Sequence, residues 1–101
     1  MLVITFLRFR HFHDSTRQKA NNSIKFDNVI SLDNYLDCKT QPKSKSYHLY
    51  AIVNHYGELD RGHYVAFCKS LSSNDWHKYD DQVVTENPTL AESDKNNTYI
   101  A

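Results

Sequence analysis

Four stretches of the chain alternate apolar and polar positions in the way that favours β-strands. Residues 2–9 are apolar on both alternating faces, which predicts a strand covered on both sides and central in a sheet. Residues 47–54, 63–69 and 76–84 are rich in aromatic and β-branched side chains with a period of two. The pattern therefore predicts a sheet of mainly antiparallel strands.

The segments between these strands are polar and contain most of the turn-forming residues. Residues 11–23 and 37–46 are predicted to be loops, and residues 24–36 a short strand with a turn. The polar segment 85–97 contains Pro88, after which one short helix is predicted. With this helix, the fold class predicted from the sequence is α+β, dominated by an antiparallel sheet.

Length and charge limit the classes of function. The 101 residues form at most one domain, and 12 basic residues balance 12 acidic ones, so no nucleic-acid or membrane partner is expected. The apolar opening of seven residues is too short for a membrane span and has no basic region before it. Cys38 and Cys68 form no C-x-x-C pair, which favours an intracellular location, cytoplasmic or nuclear.

The stretch NHYGELDRGHYVAFCK contains both glycines of the chain, one of them directly before His63. Either they are ordinary turn glycines or they shape a site around that histidine. If residues 63–68 and 75–80 form a hairpin in which the numbers of opposed residues sum to 143, His63 faces Asp80. A carboxylate that orients an imidazole is half of a nucleophilic triad, which predicts that His63 is a base.

Neither cysteine is a good candidate for the nucleophile that such a base would serve. Side chains alternate along a strand, so Cys68 is predicted to point away from His63. Cys38 lies in a polar loop without the helix N-terminus that lowers the pKa of a thiol. Both cysteines are interpreted as structural, and the nucleophile is expected to lie outside these 101 residues.

The residues YHLYAIVNHYGELDRGHYVAFCK and WHKYDDQVV resemble the histidine box of the ubiquitin-specific proteases, which are papain-like cysteine deubiquitinases. Upstream, LVITFLRF resembles the strand that this family writes as L-V-I-H-L-K-R-F. The resemblance extends from Leu2 to Ile100. It implies that residues 1–101 are the C-terminal part of such a catalytic domain, forming the palm-like half of a papain-like fold without its cysteine box.

The resemblance also implies roles for individual residues. His63 matches the catalytic histidine, Asp80 the third member of the triad, and Asp81 a supporting acidic position. The residues expected to bind ubiquitin's C-terminal tail are His55, Tyr56, Gly57, Gly62 and Tyr64. Residues 55–62 are expected to form a loop that is more mobile than the strands on either side of it. Glu58 and Arg61 replace glycines that are common in the family, so this loop is stiffer and more charged than usual.

The partners implied are ubiquitin and ubiquitinated proteins, and no cofactor is needed.

Two other interpretations of the residues remain. His11 and His13 could belong to a metal site, but solvated surface histidines explain these two, His48 and His77 better, so no metal is predicted. The aromatic residues at period two are interpreted as core rather than as a ligand-stacking surface: Tyr64, Phe67, Trp76 and Tyr79. The alternative function is a pseudo-protease module that binds ubiquitin or a partner without catalysis.

Overall fold

A computed structural model describes residues 1–35, 46–89 and 98–100 as a protein built almost entirely of antiparallel β-structure. Its largest sheet has five strands, which in chain order are β5 (Ala51–Gly57), β6 (Gly62–Lys69), β7 (Trp76–Asp80), β8 (Val83–Glu86) and β9 (Thr98–Ile100). Their order across the sheet is β8-β7-β6-β5-β9. The expectation of a mainly antiparallel sheet is therefore confirmed.

Two small hairpins accompany this sheet. The first joins β1 (Phe9–His11) to β2 (Arg17–Lys19). The second joins β3 (Val29–Ser31) to β4 (Ser46–His48), and a short 3-10 helix (Asp33–Tyr35) follows β3. Within residues 1–35, 46–89 and 98–100, no helix is long and apolar enough to cross a membrane.

The core lies on one face of the five-stranded sheet. Ile52 on β5 is paired with Phe67 on β6, and Val65 lies two residues before Phe67, so the three buried side chains share a face. Partly buried apolar residues pack around them: Phe26, Leu49, Tyr56 and Trp76. Residues 63 and 56 occupy the same face at its open end, which places a histidine at the rim of the core.

The predicted central strand at residues 2–9 is wrong. Apart from an isolated bridge at Thr5, strand structure begins at Phe9, and Val3 and Leu7 are exposed. This segment instead lines an apolar cavity of about 470 Å³ together with residues of β3, β4 and β5. A segment that is apolar on both faces is predicted to be covered by other parts of the chain. The pattern does not specify whether strand pairing or side-chain packing covers it.

Other predicted boundaries need smaller corrections. The strand at 47–54 is two strands, because the chain leaves β4 at residue 48 and enters β5 at residue 51. The strand at 76–84 is interrupted by a turn at residues 81–82, and the loop at 11–23 contains most of the β1–β2 hairpin. The strand at 63–69 is confirmed as β6. The helix predicted after Pro88 falls mainly on residues outside the described ranges.

The aromatic residues predicted to form the core divide between core and surface. Phe67 is buried and Trp76 packs against it, as expected. Tyr64 and Tyr79 lie on the opposite face of the sheet and are 51% and 43% exposed. Their positions follow from strand alternation, since each is one residue away from a core-facing position on its strand.

Candidate active site

The structure brings His63 and Asp80 together at the rim of the core. Nε2 of His63 lies 2.5 Å from Oδ1 of Asp80. His63 is the second residue of β6 and Asp80 is the last residue of β7, so neighbouring strands carry the two groups. Because Nε2 is engaged by the carboxylate, Nδ1 is the ring nitrogen that could face a reacting group.

The register that brings these residues together differs by two from the predicted one. Ala66 is paired with Tyr79 and Phe67 with Lys78, so opposed residue numbers sum to 145 rather than 143. Asp80 therefore lies diagonally across from His63, within reach of a long side chain. A shift of two keeps every side chain on its predicted face, which is why the contact survives the error.

The turn between β6 and β7 explains the shift. Ser70 N donates to Asp75 O at 2.8 Å, and Asn74 N donates to Ser70 O at 2.9 Å. Asn74 adopts a φ of 67°, a left-handed conformation that asparagine tolerates better than most residues. The turn thus closes at Ser70 and Asp75, and this closure sets the register of the two strands.

Asp80 has a second cationic partner that the sequence pattern did not indicate. Nζ of Lys78 lies 3.2 Å from Oδ2 of Asp80, so both carboxylate oxygens are engaged. The hydrogen bond from His63 and then that from Lys78 hold the pKa of Asp80 below its ordinary value of 3.8. The hydrogen bond to Asp80 raises the pKa of His63 above its ordinary value of 6.5, and the charge of Asp81 adds to this effect.

These two shifts predict a pH window for the stabilising contribution of the pair. A raised histidine pKa stabilises the fold below pH 6.5, and this contribution is lost as the pH rises through the folded-state value. A depressed aspartate pKa stabilises the fold above pH 3.8 and is lost as the pH falls through the folded-state value. The contribution is thus complete between about pH 3.8 and 6.5.

The difference in urea midpoint between the wild type and His63→Gln should accordingly be largest near pH 5 and smaller at pH 8 and pH 2. Subtraction removes the pH dependence of groups that do not interact with His63, such as His55, because they are common to both proteins. His13→Gln, at an exposed position, is the matched control and should give no such maximum. A difference that grows steadily up to pH 8 would contradict the pairing.

Asp81 lies in the turn after β7, with a φ of 51°. Its carboxylate and the ligand atoms of His63 and Asp80 all lie within 4.8 Å of one another. A cation at these three groups would compete with Lys78, which already binds Asp80. The expectation that the site works without a metal stays a prediction, and so does the supporting role of Asp81.

The five residues expected to bind a ubiquitin tail divide between the two faces of the sheet. Tyr56 is paired with His63 and shares its face. His55 and Tyr64 lie on the other face, with ring centroids 4.7 Å apart, and Gly57 is paired with Gly62 at the end of the hairpin. Of these five residues, only Tyr56 therefore has its side chain on the same face of the sheet as His63.

The expected loop at residues 55–62 is much shorter than predicted. Strand pairing continues through Gly57 and Gly62, and Glu58 N donates to Arg61 O at 2.9 Å, so only residues 58–61 connect the strands. Gly57 adopts a φ of 101°, which a residue with a side chain rarely tolerates. Greater mobility of this turn stays a prediction.

His55 is 4% exposed and packs between Phe9 and Tyr64. Its imidazole also covers Gly62, where an added Cβ would overlap the ring and lie 2.9 Å from the Tyr56 carbonyl oxygen. Burial, with a smaller effect of Lys19, lowers the pKa of His55 and favours the neutral ring. His55 is thus a buried packing residue on the face opposite to His63, and its expected role at a ubiquitin tail stays a prediction.

Gly62→Ala should therefore destabilise the protein by about 1–3 kcal/mol, the usual cost of overpacking a filled site. It should also shift the NMR signals of His55 and His63 more than those of β8. Thr85→Ala, at an exposed position of β8, is the control and should have little effect on either. An unchanged urea midpoint for Gly62→Ala would show that the His55 ring can move away at no cost.

The thiol of Cys68 is separated from His63 as predicted. Cys68 is paired with Ala51 and His77, on the face opposite to Phe67, and burial raises the pKa of its thiol. A raised pKa opposes thiolate formation at neutral pH. Cys38, whose structural role was also predicted, lies outside the described residues.

Two buried or partly buried cations were missed because nothing in the local sequence marks them. Nε of Arg8 donates to the Thr98 carbonyl oxygen at 2.6 Å. Nζ of Lys19 donates to the carbonyl oxygens of His55 at 2.6 Å and Gly57 at 2.9 Å. Arg8 coincides with the arginine of the family strand L-V-I-H-L-K-R-F, but the acceptors of both cations are backbone groups distant in sequence, which no local pattern indicates.

Comparison with known proteins places this geometry in a family. The family model described as ubiquitin carboxyl-terminal hydrolase matches residues 1–101. Ubiquitin carboxyl-terminal hydrolase 8 of Saccharomyces cerevisiae is 34% identical over 95 residues, covering 84% of this chain and 20% of that protein. Ubiquitin carboxyl-terminal hydrolase 12 of the same yeast is 38% identical over 89 residues, covering 85% of this chain and 7% of that protein.

A solved structure agrees with these sequence matches. The SAGA DUB module of Ubp8, Sgf11, Sus1 and Sgf73 bound to monoubiquitin contains a chain that is 32% identical, with a TM-score of 0.80. The match covers 97% of this chain and 21% of that one, so the chain spans about a fifth or less of each of these three relatives. On the match to all 101 residues, this chain belongs to the ubiquitin carboxyl-terminal hydrolase family, as its resemblance to the ubiquitin-specific proteases predicted.

Proposed function

We propose that the chain takes part in deubiquitination, the hydrolysis of the bond after ubiquitin's terminal glycine. The observation that carries this proposal is the 2.5 Å contact between His63 Nε2 and Asp80 Oδ1 in a member of this hydrolase family. A histidine held by a carboxylate through one nitrogen can use the other nitrogen for proton transfer. Ubiquitin and ubiquitinated proteins are the proposed partners.

In this proposal His63 and Asp80 serve a thiol that is not among the described residues. Nδ1 of His63 takes the thiol proton as the sulfur attacks the carbonyl carbon of ubiquitin's terminal glycine, and the imidazolium then protonates the leaving amine. The thioester is hydrolysed by a water that His63 deprotonates. Asp80 keeps the ring oriented and stabilises its charged form, and Asp81 adds negative charge nearby.

The same proposal assigns residues 1–101 to the C-terminal part of the catalytic domain. In a complete enzyme of the α+β class, this sheet would be the palm-like half, and another part of the domain would supply the cysteine. The proposal is supported by the 97% coverage of this chain against about a fifth of the solved neighbour. The rim position of His63 fits a base that meets a group from another segment.

A second candidate function is binding of ubiquitin or another partner without catalysis. The observation in its favour is that Cys68, the free cysteine among the described residues, lies on the face opposite to His63. Binding of ubiquitin together with complete absence of turnover, even when a cysteine-bearing segment is supplied, would favour this module.

The test is a chimera in which residues 1–101 replace the matching segment of yeast ubiquitin carboxyl-terminal hydrolase 12, the relative with 38% identity. We expect the chimera to release a fluorophore from ubiquitin's C-terminus, and the isolated chain to release none. Thiol-dependent turnover by the isolated chain, lost on Cys38→Ser, would show that the nucleophile was wrongly assigned. A folded but inactive chimera that binds ubiquitin would support the binding module.

A further inference from the structure

The β1–β2 hairpin contacts the end of the sheet that carries His63. Phe9 on β1 meets the His55 ring edge-on, with centroids 5.5 Å apart and planes at 81°. Lys19 is paired with Phe9 across the hairpin, and its ammonium binds the carbonyl oxygens of His55 and Gly57. One ring contact and two hydrogen bonds thus join the hairpin to the end of β5.

The hydrogen-bonding pattern between β5 and β6 shows in which direction these two carbonyl groups point. Lys69 N donates to Tyr50 O and Glu58 N to Arg61 O, so the hydrogen-bonded pairs of the β5–β6 ladder are at even-numbered residues along β5. The carbonyls of residues 55 and 57 therefore point away from β6, towards Lys19. Tyr56, between them, forms a hydrogen-bonded pair with His63.

The ammonium thus binds the carbonyl oxygens of His55 and Gly57, the residues before and after Tyr56, and Tyr56 is paired with His63. Hydrogen bonds from a charged donor are stronger than those between neutral groups. Lys19 is only partly exposed, and burial followed by the charge of Arg8 lowers its pKa. Its charge has therefore lost part of its water shell, and the carbonyls replace that water.

We propose that Lys19 is a positioning residue for His63, acting through the backbone of residues 55–57. The inference rests on the proposed function, in which His63 is the base, and it adds a part of the chain that the triad itself does not include. The two hydrogen bonds of the Lys19 ammonium go to backbone oxygens of β5 rather than to His63 or Asp80. Its effect is to hold the strand pair from which the imidazole projects, so that Nε2 remains within reach of Asp80.

The test is NMR of the 101-residue chain carrying Lys19→Met, which keeps the length of the side chain and removes its donors. Amide hydrogen exchange at Tyr56 and His63 should become about tenfold faster, while the amides that pair β7 with β8 should keep their rates. In a pH titration, the pKa of His63 should fall towards its ordinary value as the bond to Asp80 loosens. Lys25→Met, which removes the same charge from an exposed position, should change neither quantity.

Unchanged exchange and an unchanged His63 titration in folded Lys19→Met would overturn the proposal. Equal acceleration across β7 and β8 would overturn it too, because it would show only a general loss of stability. Lys19→Gln, which keeps a neutral amide donor, should give a smaller effect in the same direction, and it replaces Lys19→Met in the test if that variant does not fold. Since these measurements require no turnover, an inactive chimera would refute the proposed function and leave the coupling of Lys19 to His63 measurable.

Discussion

His63→Ala is expected to lower the rate of ubiquitin C-terminal hydrolysis by the chimera by about 10²–10⁴-fold, the usual contribution of a general base. Without the imidazole, the thiol has no positioned group to take its proton, and the leaving amine has none to protonate it. The readout is fluorophore release at saturating substrate, so that the loss is read in kcat.

Two further variants make this result specific. Asp80→Asn should be milder than His63→Ala, because an amide oxygen can still accept a hydrogen bond from Nε2 and keep the ring oriented. His13→Ala, at an exposed position on the β1–β2 hairpin, should leave kcat unchanged. If His63→Ala kept more than about a tenth of the wild-type rate, the ring would not be the general base.

Arg8→Met is expected to destabilise the protein more than either Lys19→Met or Gly62→Ala. Arg8 is 3% exposed and donates to the carbonyl oxygens of Thr98, Ala20 and Asn22 at 2.6–2.9 Å. Removing the guanidinium leaves three carbonyls without their charged donor. The Thr98 carbonyl is buried and the other two are partly buried, and an unsatisfied buried acceptor costs about 1–3 kcal/mol, so the total loss should be about 3 kcal/mol.

The measurement is the free energy of unfolding in urea. A loss of about 3 kcal/mol would be a large part of the 5–15 kcal/mol that is typical of a folded domain. Arg10→Met is the matched control, because Arg10 lies on β1 two residues later and is exposed. Equal effects of the two substitutions would mean that the contacts of Arg8 to β9 and to the segment after β2 contribute little.

The sequence predicted the pairing of His63 with Asp80 for a physical reason that is local. Side chains in a strand alternate with a period of two, so the face on which each residue lies follows from its number alone. The same rule placed Cys68 away from His63, as the structure has it. The register error of two residues changed the contact from directly opposed to diagonal and kept His63 within hydrogen-bonding distance of Asp80.

The sequence was less informative where several elements could satisfy the same pattern. Residues 2–9 are apolar on both faces, but packing around a cavity covers part of them and no long strand forms. The short strands β1 and β2 show no such alternation, and the structure joins them to β5 through Phe9 and Lys19. Propensity describes a segment alone, whereas these segments are held by distant partners.

The sequence by itself therefore determined the residue types at the candidate site, the faces on which they lie and the family to which they belong. Only the tertiary structure decided the register, through the left-handed Asn74 that closes the β6–β7 turn. It alone also revealed that Arg8 and Lys19 bind backbone carbonyls 90 and 36 residues away. Backbone carbonyls occur at every position of any sequence, so which of them meets a given cation is decided only when the chain has folded.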